Sequence, residues 1–413
     1  MNGSNTAALA GKSHTWNAAP EQHQREDAVD ALRGFALLGI LVVNAGAFSS
    51  TYYGTGLSDP LHAQGLDHMV RALVTMGFET KFYLLFSFLF GYSFVLQMDS
   101  AQRAGAAFAP RFVRRLVGLA LLGLAHGWLL FAGDILLTYA TLGAVLLLLR
   151  GLPPRGALLL AGGLVVGTAG GWAALAWLES MAPTPWDVAT IHAQAQQAAE
   201  AYRHSALETI AQRGRDMAQG MWFVLVFIQA PCALAMFLVG IVAARESAIA
   251  GWMAQPQRLK RAMVWCISAG LAGGAGMAWV QGSGAAMPLH VGMAAMALNL
   301  LMAPVLAAGY LAAMLWVFLQ PWGRIVLALL APAGRMALSN YLLQSLAGAL
   351  VFTAYGARLV GQVPPAVVLS GCVALYAAQL AWSRWWLSAH AYGPAEWLLR
   401  AITLWHWPAW RGR

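Results

Sequence analysis

Arg33 and Asn44 are the residues of the first apolar stretch whose types could do chemistry. The stretch reads DALRGFALLGILVVN from Asp30 to Asn44 and is otherwise almost wholly apolar. Eleven residues separate the arginine from the asparagine, which on a helix returns them to nearly the same face, about 16 Å apart along the axis. Lipid offers neither side chain a partner, so we expect both to face protein or water-filled space. The alternative for Arg33 is a side chain that extends to the headgroups.

Three histidines are candidates for a general base, because imidazole has an unperturbed pKa of about 6.5. His68 follows Asp67 in the loop after the first apolar stretch and is the first choice, and His62 lies in the same loop. His126 lies in an apolar helix near the turn that carries Asp134, an arrangement that fixes a histidine tautomer. The alternatives are a solvated loop histidine, a hydrogen bond that joins two spans at His126, and a helix-capping role for Asp134.

Further polar residues within or beside apolar segments are predicted to line a substrate cavity: Glu79, Lys81, Arg335, Ser339, Asn340 and Gln344. The last four form two pairs with members one helical turn apart, so one span carries adjacent polar stripes. Lipid contact does not explain such stripes, but hydrogen bonds to neighbouring helices would. The Glu79 and Lys81 side chains could also pair with each other or anchor at the membrane interface.

Composition places the chain in the membrane. It has 413 residues, 60% of them hydrophobic and only 10% charged, whereas soluble domains carry about 25% charged residues. Several apolar runs reach about 20 residues, the length that crosses a bilayer. The sequence therefore predicts an all-α polytopic transmembrane helix bundle with membrane lipids as partners. The net charge of +9 follows from basic cytoplasmic loops, so we expect no nucleic-acid partner.

About ten spans are predicted, in a bundle at 28–390 that a disordered tail at 1–27 precedes and an interfacial tail at 391–413 follows. A polar insertion at 179–218 is predicted to form an amphipathic helix. The apolar stretch 287–319 is too long for one untilted helix, so we expect either a kink near Pro304 or two short segments. The predicted spans cover about 31–48, 78–96, 113–131, 134–149, 157–178, 220–243, 262–281, 287–319, 335–355 and 365–387.

The distribution of basic residues predicts the orientation of the spans. Arginine and lysine crowd the loops after the second, fourth, sixth and eighth spans. Because cytoplasmic loops collect these residues, both termini are predicted to be cytoplasmic. The insertion at 179–218 and the loop with His62 and His68 then lie on the outer side.

Five segments resemble those of the bacterial inner-membrane YeiB family: VDALRGFALLGILVVN, KFYLLFSFLFGYSF, LGLAHGWLLFAGDILLTYATLG, GRMALSNYLLQS and YGPAEWLLR. The resemblance covers nearly the whole chain. The family is grouped by resemblance with transmembrane acyltransferases, including lysosomal heparan-α-glucosaminide acetyltransferase. This implies a bundle in the bacterial inner membrane that passes an acyl group from a cytosolic thioester, acyl-CoA, to an envelope acceptor. Bacterial O-acyltransferases have a histidine where this chain has Asn44, whereas the glucosaminide enzyme is thought to use one in the following loop, which points to His68 or His62.

Two function classes stay open. In the first, the protein is a transmembrane acyltransferase in which His68 is the base or transient acyl acceptor, with Arg33 and Asn44 in the site. In the second, it is a transporter or exporter of a small amphipathic metabolite or lipid. Phosphate-loop, zinc-protease and nucleophile-elbow motifs are absent from the sequence. We therefore expect neither a metal nor a tightly bound cofactor, and the oligomeric state is left open.

Overall fold

The computed structural model describes residues 18–411, which form a bundle of α-helices without a β-strand. The α-helices are α1 (Ala18–Ser49), α2 (Gly65–Gly77), α3 (Lys81–Arg103), α4 (Phe108–Leu129), α5 (Leu136–Leu149), α6 (Pro154–Met181), α7 (Val188–His204), α8 (Ala206–Asp216), α9 (Ala230–Arg245), α10 (Ala248–Met253), α11 (Pro256–Ser283), α12 (Leu289–Phe318), α13 (Gly323–Arg335), α14 (Ala337–Phe352), α15 (Pro365–Ala389) and α16 (Pro394–Leu404). Short 3-10 turns cover Pro60–His62 and Gly284–Ala286, and π-helical turns at Met217–Met221 and Val224–Gln229 precede α9. The predicted all-α bundle is confirmed.

Within the described residues, eight helical segments are long and apolar enough to cross a membrane: Asp27–Ser49, Gly65–Arg103, Phe108–Leu129, Pro154–Met181, Val224–Arg245, Pro256–Ser283, Leu289–Phe318 and Pro365–Ala389. The pair α13 and α14 passes the same test as a unit but bends by 75° at its break. The apolar helix α5 is shorter, with 14 residues. Ten spans are therefore reached only if the bent pair and α5 are counted with the eight.

The stretch at 287–319, predicted as one long span with two short segments as the alternative, is the single helix α12, which contains Pro304. Two other predicted segments differ in detail from the structure. The predicted tail at 1–27 lies outside the described residues up to residue 17, and from Ala18 onward the chain is already helical. The insertion at 179–218 contains two helices, α7 and α8, because Ser205 ends one and caps the next by accepting a hydrogen bond from Glu208 N at 3.2 Å.

Glycines set the closest helix crossings of the bundle. A Cβ added at Gly34 of α1 would lie 2.3 Å from the Leu330 carbonyl oxygen of α13, and one at Gly334 would lie 1.7 Å from the Asp30 carbonyl oxygen. Lipid supplies no hydrophobic force between helices, so close backbone contact between small residues helps to join membrane helices. The crossing holds α1 against the broken pair α13–α14.

Candidate functional site

Two cavities lie toward opposite ends of α1. The first, which we call the arginine cavity, has a volume of about 440 Å³ and is lined on α1 by Arg33, Leu37 and Ile40. The second, the His62 cavity, has a volume of about 550 Å³ and is lined on α1 by residues from Val42 to Ser49. Arg33 and Asn44, which the sequence places on nearly the same face of α1, therefore line two different cavities.

The arginine cavity carries a large excess of positive charge. Arg33 forms an ion pair with Asp30 and donates a hydrogen bond to the Ser93 hydroxyl of α3. The other guanidinium groups face one lining carboxylate, that of Glu396, and none of them forms an ion pair within residues 18–411. The arginines of the lining are Arg33, Arg111, Arg115, Arg335 and Arg400. Such a cavity suits an anionic ligand, because like charges packed together without counterions raise the free energy of the empty site.

Glu396 does not neutralise these arginines by direct contact, because it caps α14. Its Oε1 accepts hydrogen bonds from the backbone N–H groups of Leu338 and Ser339 at 2.7 and 3.1 Å, and its Oε2 accepts one from the Ser339 hydroxyl at 2.5 Å. The carboxylate therefore supplies the partners that the first turn of α14 lacks. Burial raises the pKa of the Glu396 carboxyl above its usual value, although these hydrogen bonds oppose the shift.

His62 is presented to the second cavity by a short capped turn. Asp59 caps the 3-10 turn Pro60–His62 by accepting a hydrogen bond from Leu61 N at 3.0 Å. The Nδ1 of His62 lies 3.6 Å from Oδ2 of Asp67, whose Oδ1 accepts a hydrogen bond from Ala366 N at 3.1 Å. Because Asp67 faces Nδ1, we assign the proton to that nitrogen. The Nε2 is buried without a hydrogen-bond partner in the described part of the chain, so its lone pair is left for a ligand.

Asn44 lines the same cavity with a free amide. Its side chain makes no hydrogen bond to any residue that the structure describes, and it is only partly buried. An amide in an apolar helix without a protein partner is costly unless water or a ligand satisfies it. Asn44 is therefore available to donate a hydrogen bond to a bound molecule.

His68, the first choice for the base, lies in neither lining. Its half-buried imidazole packs against Gly282 of α11, where an added Cβ would come within 2.7 Å of its Cε1. Asp67, its neighbour in sequence, is turned toward His62 and the N-terminus of α15. The role of His68 as the base stays a prediction.

His126 and Asp134 form a buried pair between the two cavities. Nδ1 of His126 lies 2.8 Å from Oδ1 of Asp134, and their side chains are 1% and 3% exposed. Asp134 Oδ2 also accepts a hydrogen bond from Leu137 N at 2.8 Å, so it caps the start of α5 as the sequence allowed. The His126 ring lies 4.9 Å from the ring of Tyr341, which lines the arginine cavity, and 6.4 Å from that of Phe131, which lines the other.

Glu79 and Lys81 are both predicted to line a cavity, but only Glu79 does so. Glu79 lines the His62 cavity. Lys81 is fully buried and donates hydrogen bonds to the Thr75 carbonyl at 3.1 Å and to Asn299 Oδ1 at 2.8 Å. Its ammonium group therefore ties the start of α3 to α2 and α12.

Of the four polar residues at the break between α13 and α14, only Arg335 lines a cavity. Ser339 bonds to Glu396, Asn340 donates to Ser383 Oγ at 2.9 Å, and Gln344 donates to Gln379 Oε1 at 2.8 Å. The last two bonds join α14 to α15. These three residues therefore form hydrogen bonds between helices, which was the alternative to lining a cavity.

Only a thin layer of residues, which we call the barrier, separates the two cavities. On α1 the linings are two residues apart, at Ile40 and Val42, and on α3 they are three residues apart, at Phe86 and Tyr83. The two linings therefore approach within one helical turn, about 5.4 Å, along both helices. The barrier holds polar groups as well as apolar ones, since the hydroxyl of Tyr139 lies 2.6 Å from that of Ser87.

Sequence reasoning missed most of the arginine cavity. Arg111 and Arg115 were interpreted only as markers of a cytoplasmic loop, and Arg400 and Glu396 as parts of an interfacial tail. A signal was present, because α4 places Arg111 and Arg115 one turn apart on a single face. The packing of α16 against α4 and α14 could not be inferred from the local sequence.

The fold and the two cavities define a polytopic membrane protein with a basic cavity and a histidine-containing cavity toward opposite ends of its first span. The family model described as "Protein of unknown function (DUF418)" matches residues 243–406. The chain is 32% identical over 412 residues to the uncharacterized protein YxaH of Bacillus subtilis (strain 168), covering 93% of this chain and 96% of YxaH. It is 28% identical over 397 residues to the uncharacterized protein YeiB of Escherichia coli (strain K12), covering 92% and 97%.

A third relative is an uncharacterized 39.9 kDa protein of Bacillus acidopullulyticus, 27% identical over 384 residues, which cover 92% of this chain and 94% of the relative. No solved structure matches the chain. The similarity to YxaH and YeiB extends over almost the full length of each. The chain therefore belongs to the DUF418 family of YeiB-like membrane proteins.

Proposed function

We propose that the protein is a transmembrane acyltransferase of the bacterial inner membrane. The observation that carries the proposal is the pair of cavities of contrasting chemistry, which approach within one helical turn near the middle of α1. One cavity offers uncompensated guanidinium groups, and the other is lined by a histidine, His62, and by the free amide of Asn44. A reaction that joins a charged donor from one face to an acceptor at the other needs this arrangement.

The arginine cavity suits the phosphate groups of a cytosolic acyl-CoA. Guanidinium groups bind phosphate oxygens through paired, charge-assisted hydrogen bonds. Arg111, Arg115 and Arg335 have no carboxylate partner in the described structure, so they are available for such bonds. The thioester end of the donor would extend along α1 and α3 toward the thin barrier.

The transfer requires a base and a donor to the developing oxyanion. The acceptor hydroxyl or amine attacks the thioester carbonyl carbon, and its proton passes to Nε2 of His62. Asn44 donates a hydrogen bond to the oxygen that becomes negative. The carbon–sulfur bond then breaks, and the imidazolium of His62 returns the proton to the departing thiolate. Asp67 holds the His62 imidazole in the tautomer that this role requires.

Transfer of a radiolabelled acyl group from acyl-CoA in proteoliposomes tests the proposal. His62→Ala should lower turnover by about 10²–10⁴-fold, the usual effect of losing a general base. His204→Ala is the control, because His204 is exposed and pairs only with Glu208. Arg115→Gln should raise KM for the donor about tenfold or more, whereas Arg103→Gln, at the exposed end of α3, should not.

The same assay compares the three candidate histidines. If His68→Ala or His126→Ala were inactive while His62→Ala kept wild-type turnover, the assignment of the base to His62 would be wrong. If all three variants transferred the acyl group at the wild-type rate, a base role for these three histidines would be excluded.

Transport of an amphipathic solute is the second candidate, and the break between α13 and α14 favours it. Discontinuous membrane helices form the binding sites of many secondary transporters, and α13 and α14 meet at 75° beside the arginine cavity. Uptake of an unmodified labelled solute by the same proteoliposomes, without acyl transfer, would support transport over catalysis.

A further inference from the structure

The His62 cavity is divided into a polar end and a longer apolar part. The polar end is formed by Asp59, His62, Arg71 and Glu79, which come from the loop after α1, from α2 and from the turn between α2 and α3. The apolar part is formed by residues of α6, α12, α15 and the π-helical turns before α9. The charged groups of the lining thus come from other elements than most of its apolar residues.

The apolar part follows two helices for a considerable depth. On α12 the lining extends from Leu289 to Met296, and on α15 it extends from Pro365 to Cys372. Seven residues of helix correspond to about 10 Å. Both runs consist almost wholly of apolar residues and offer no charged partner to a sugar or another water-soluble acceptor.

The polar end carries charges of both signs. The Arg71 guanidinium stands against two carboxylates, of which Asp59 is partly satisfied by the backbone of the 3-10 turn and by Ser50. Glu79 lies within electrostatic range of Lys81 and Arg71. Such a mixed group can hold a headgroup that carries both an anionic phosphate and a hydroxyl or amine.

We infer that the acceptor is a membrane lipid whose headgroup carries a free hydroxyl or amine, and that its acyl chain occupies the apolar part of the His62 cavity. This inference rests on the proposed function. The headgroup oxygen or nitrogen lies beside Nε2 of His62 and attacks the thioester carbon. The acyl–sulfur bond breaks, an ester or amide bond to the headgroup forms, and the proton passes through His62 to the thiolate.

Product extraction distinguishes the acceptor classes. The wild-type protein is reconstituted with labelled acyl-CoA in vesicles of phosphatidylcholine, whose headgroup has neither a free hydroxyl nor a free amine. A second set of vesicles also contains phosphatidylethanolamine or phosphatidylglycerol. Glucose and glucosamine are added to the water phase in every case. We expect label in an organic-soluble headgroup product only when one of the last two lipids is present.

A pair of variants tests where the lipid chain lies. Met293→Trp should fill the apolar part and lower transfer to lipid at least tenfold. Leu298→Trp on the same helix is the control, because Leu298 is exposed on the outer surface of the bundle. Binding of acyl-CoA to Met293→Trp shows that the variant is folded, because the arginine cavity does not include Met293.

The outcomes separate this inference from the proposed function. Consumption of the thioester with all label in a water-soluble sugar product would overturn the lipid acceptor and leave the acyltransferase intact. Wild-type rates of lipid acylation in folded Met293→Trp would also overturn it. Absence of transfer to every acceptor by the wild-type protein would overturn both.

Discussion

At the scale of single residues, the two polar groups of α1 differ in how the protein uses them. Arg33 is held by Asp30 and Ser93, so its guanidinium group joins α1 to α3 as well as lining a cavity. Asn44 has no protein partner among the described residues and lines the other cavity. One residue therefore contributes to stability, and the other is available to a ligand.

This difference predicts different defects for the two leucine variants. Asn44→Leu should keep the wild-type melting temperature in detergent and lose acyl transfer about 10²-fold or more, because an oxyanion donor is removed. Arg33→Leu should lower the free energy of unfolding by about 1–2 kcal/mol, because it breaks an interhelical hydrogen bond and leaves Asp30 unpaired. A destabilised Asn44→Leu with normal turnover per folded molecule would contradict the assignment.

At the scale of elements, the break between α13 and α14 depends on a residue far along the chain. Glu396 of α16 supplies the hydrogen bonds that start α14, and the Gly34–Gly334 crossing fixes the preceding helix against α1. Arg335, between these two contacts, is thereby held in the arginine cavity. The bend is therefore stabilised by hydrogen bonds from Glu396 to the first turn of α14.

Glu396→Ala should lower the free energy of unfolding by about 0.5–2 kcal/mol, the range for loss of a helix cap. Glu396→Gln should lose less, because its amide oxygen can still accept from the α14 backbone. Because burial raises the Glu396 pKa, the folded protein retains this proton at a pH where the unfolded chain has released it. Stability should therefore fall as the pH rises from the usual carboxyl pKa through the raised one.

Thermal unfolding in detergent, measured at a series of pH values from the usual glutamate pKa upward, measures this effect. The slope should be smaller in Glu396→Gln, which does not titrate. An equal slope in both proteins would mean that another group causes it.

At the scale of the whole molecule, the orientation in the membrane remains a prediction from the distribution of arginine and lysine. The arginine cavity lies at the end of the bundle that carries Arg111 and Arg335, which the positive-inside rule assigns to the cytoplasm. Reporter fusions at about residue 200, in α7, and at the C-terminus should therefore report opposite sides. The same side for both would contradict ten spans and would also place the donor cavity away from cytosolic thioesters.

Hydropathy alone was sufficient to predict the bundle, because crossing lipid requires long apolar runs that are visible locally. Hydropathy and local sequence could not decide whether His62 or His68 is the better candidate for the base. That choice depends on the turn that Asp59 caps and on Ala366, a residue about 300 positions away that orients Asp67. The cap from Glu396 to α14 was hidden for the same reason, since the two segments are joined only by the tertiary fold.

The short helix α5 has a consequence for the surrounding bilayer. Its 14 residues span about 21 Å, whereas the hydrocarbon core of a bilayer is about 30 Å thick. Leu148 and Leu137 are exposed on its surface, and Arg150 and Asp134 lie just beyond its ends. Hydrophobic mismatch is relieved when lipids thin beside such a helix. The membrane next to the two cavities should therefore be thinner than elsewhere. The distance that a transferred group crosses then depends on the length of α5 and on the chain length of the surrounding lipids.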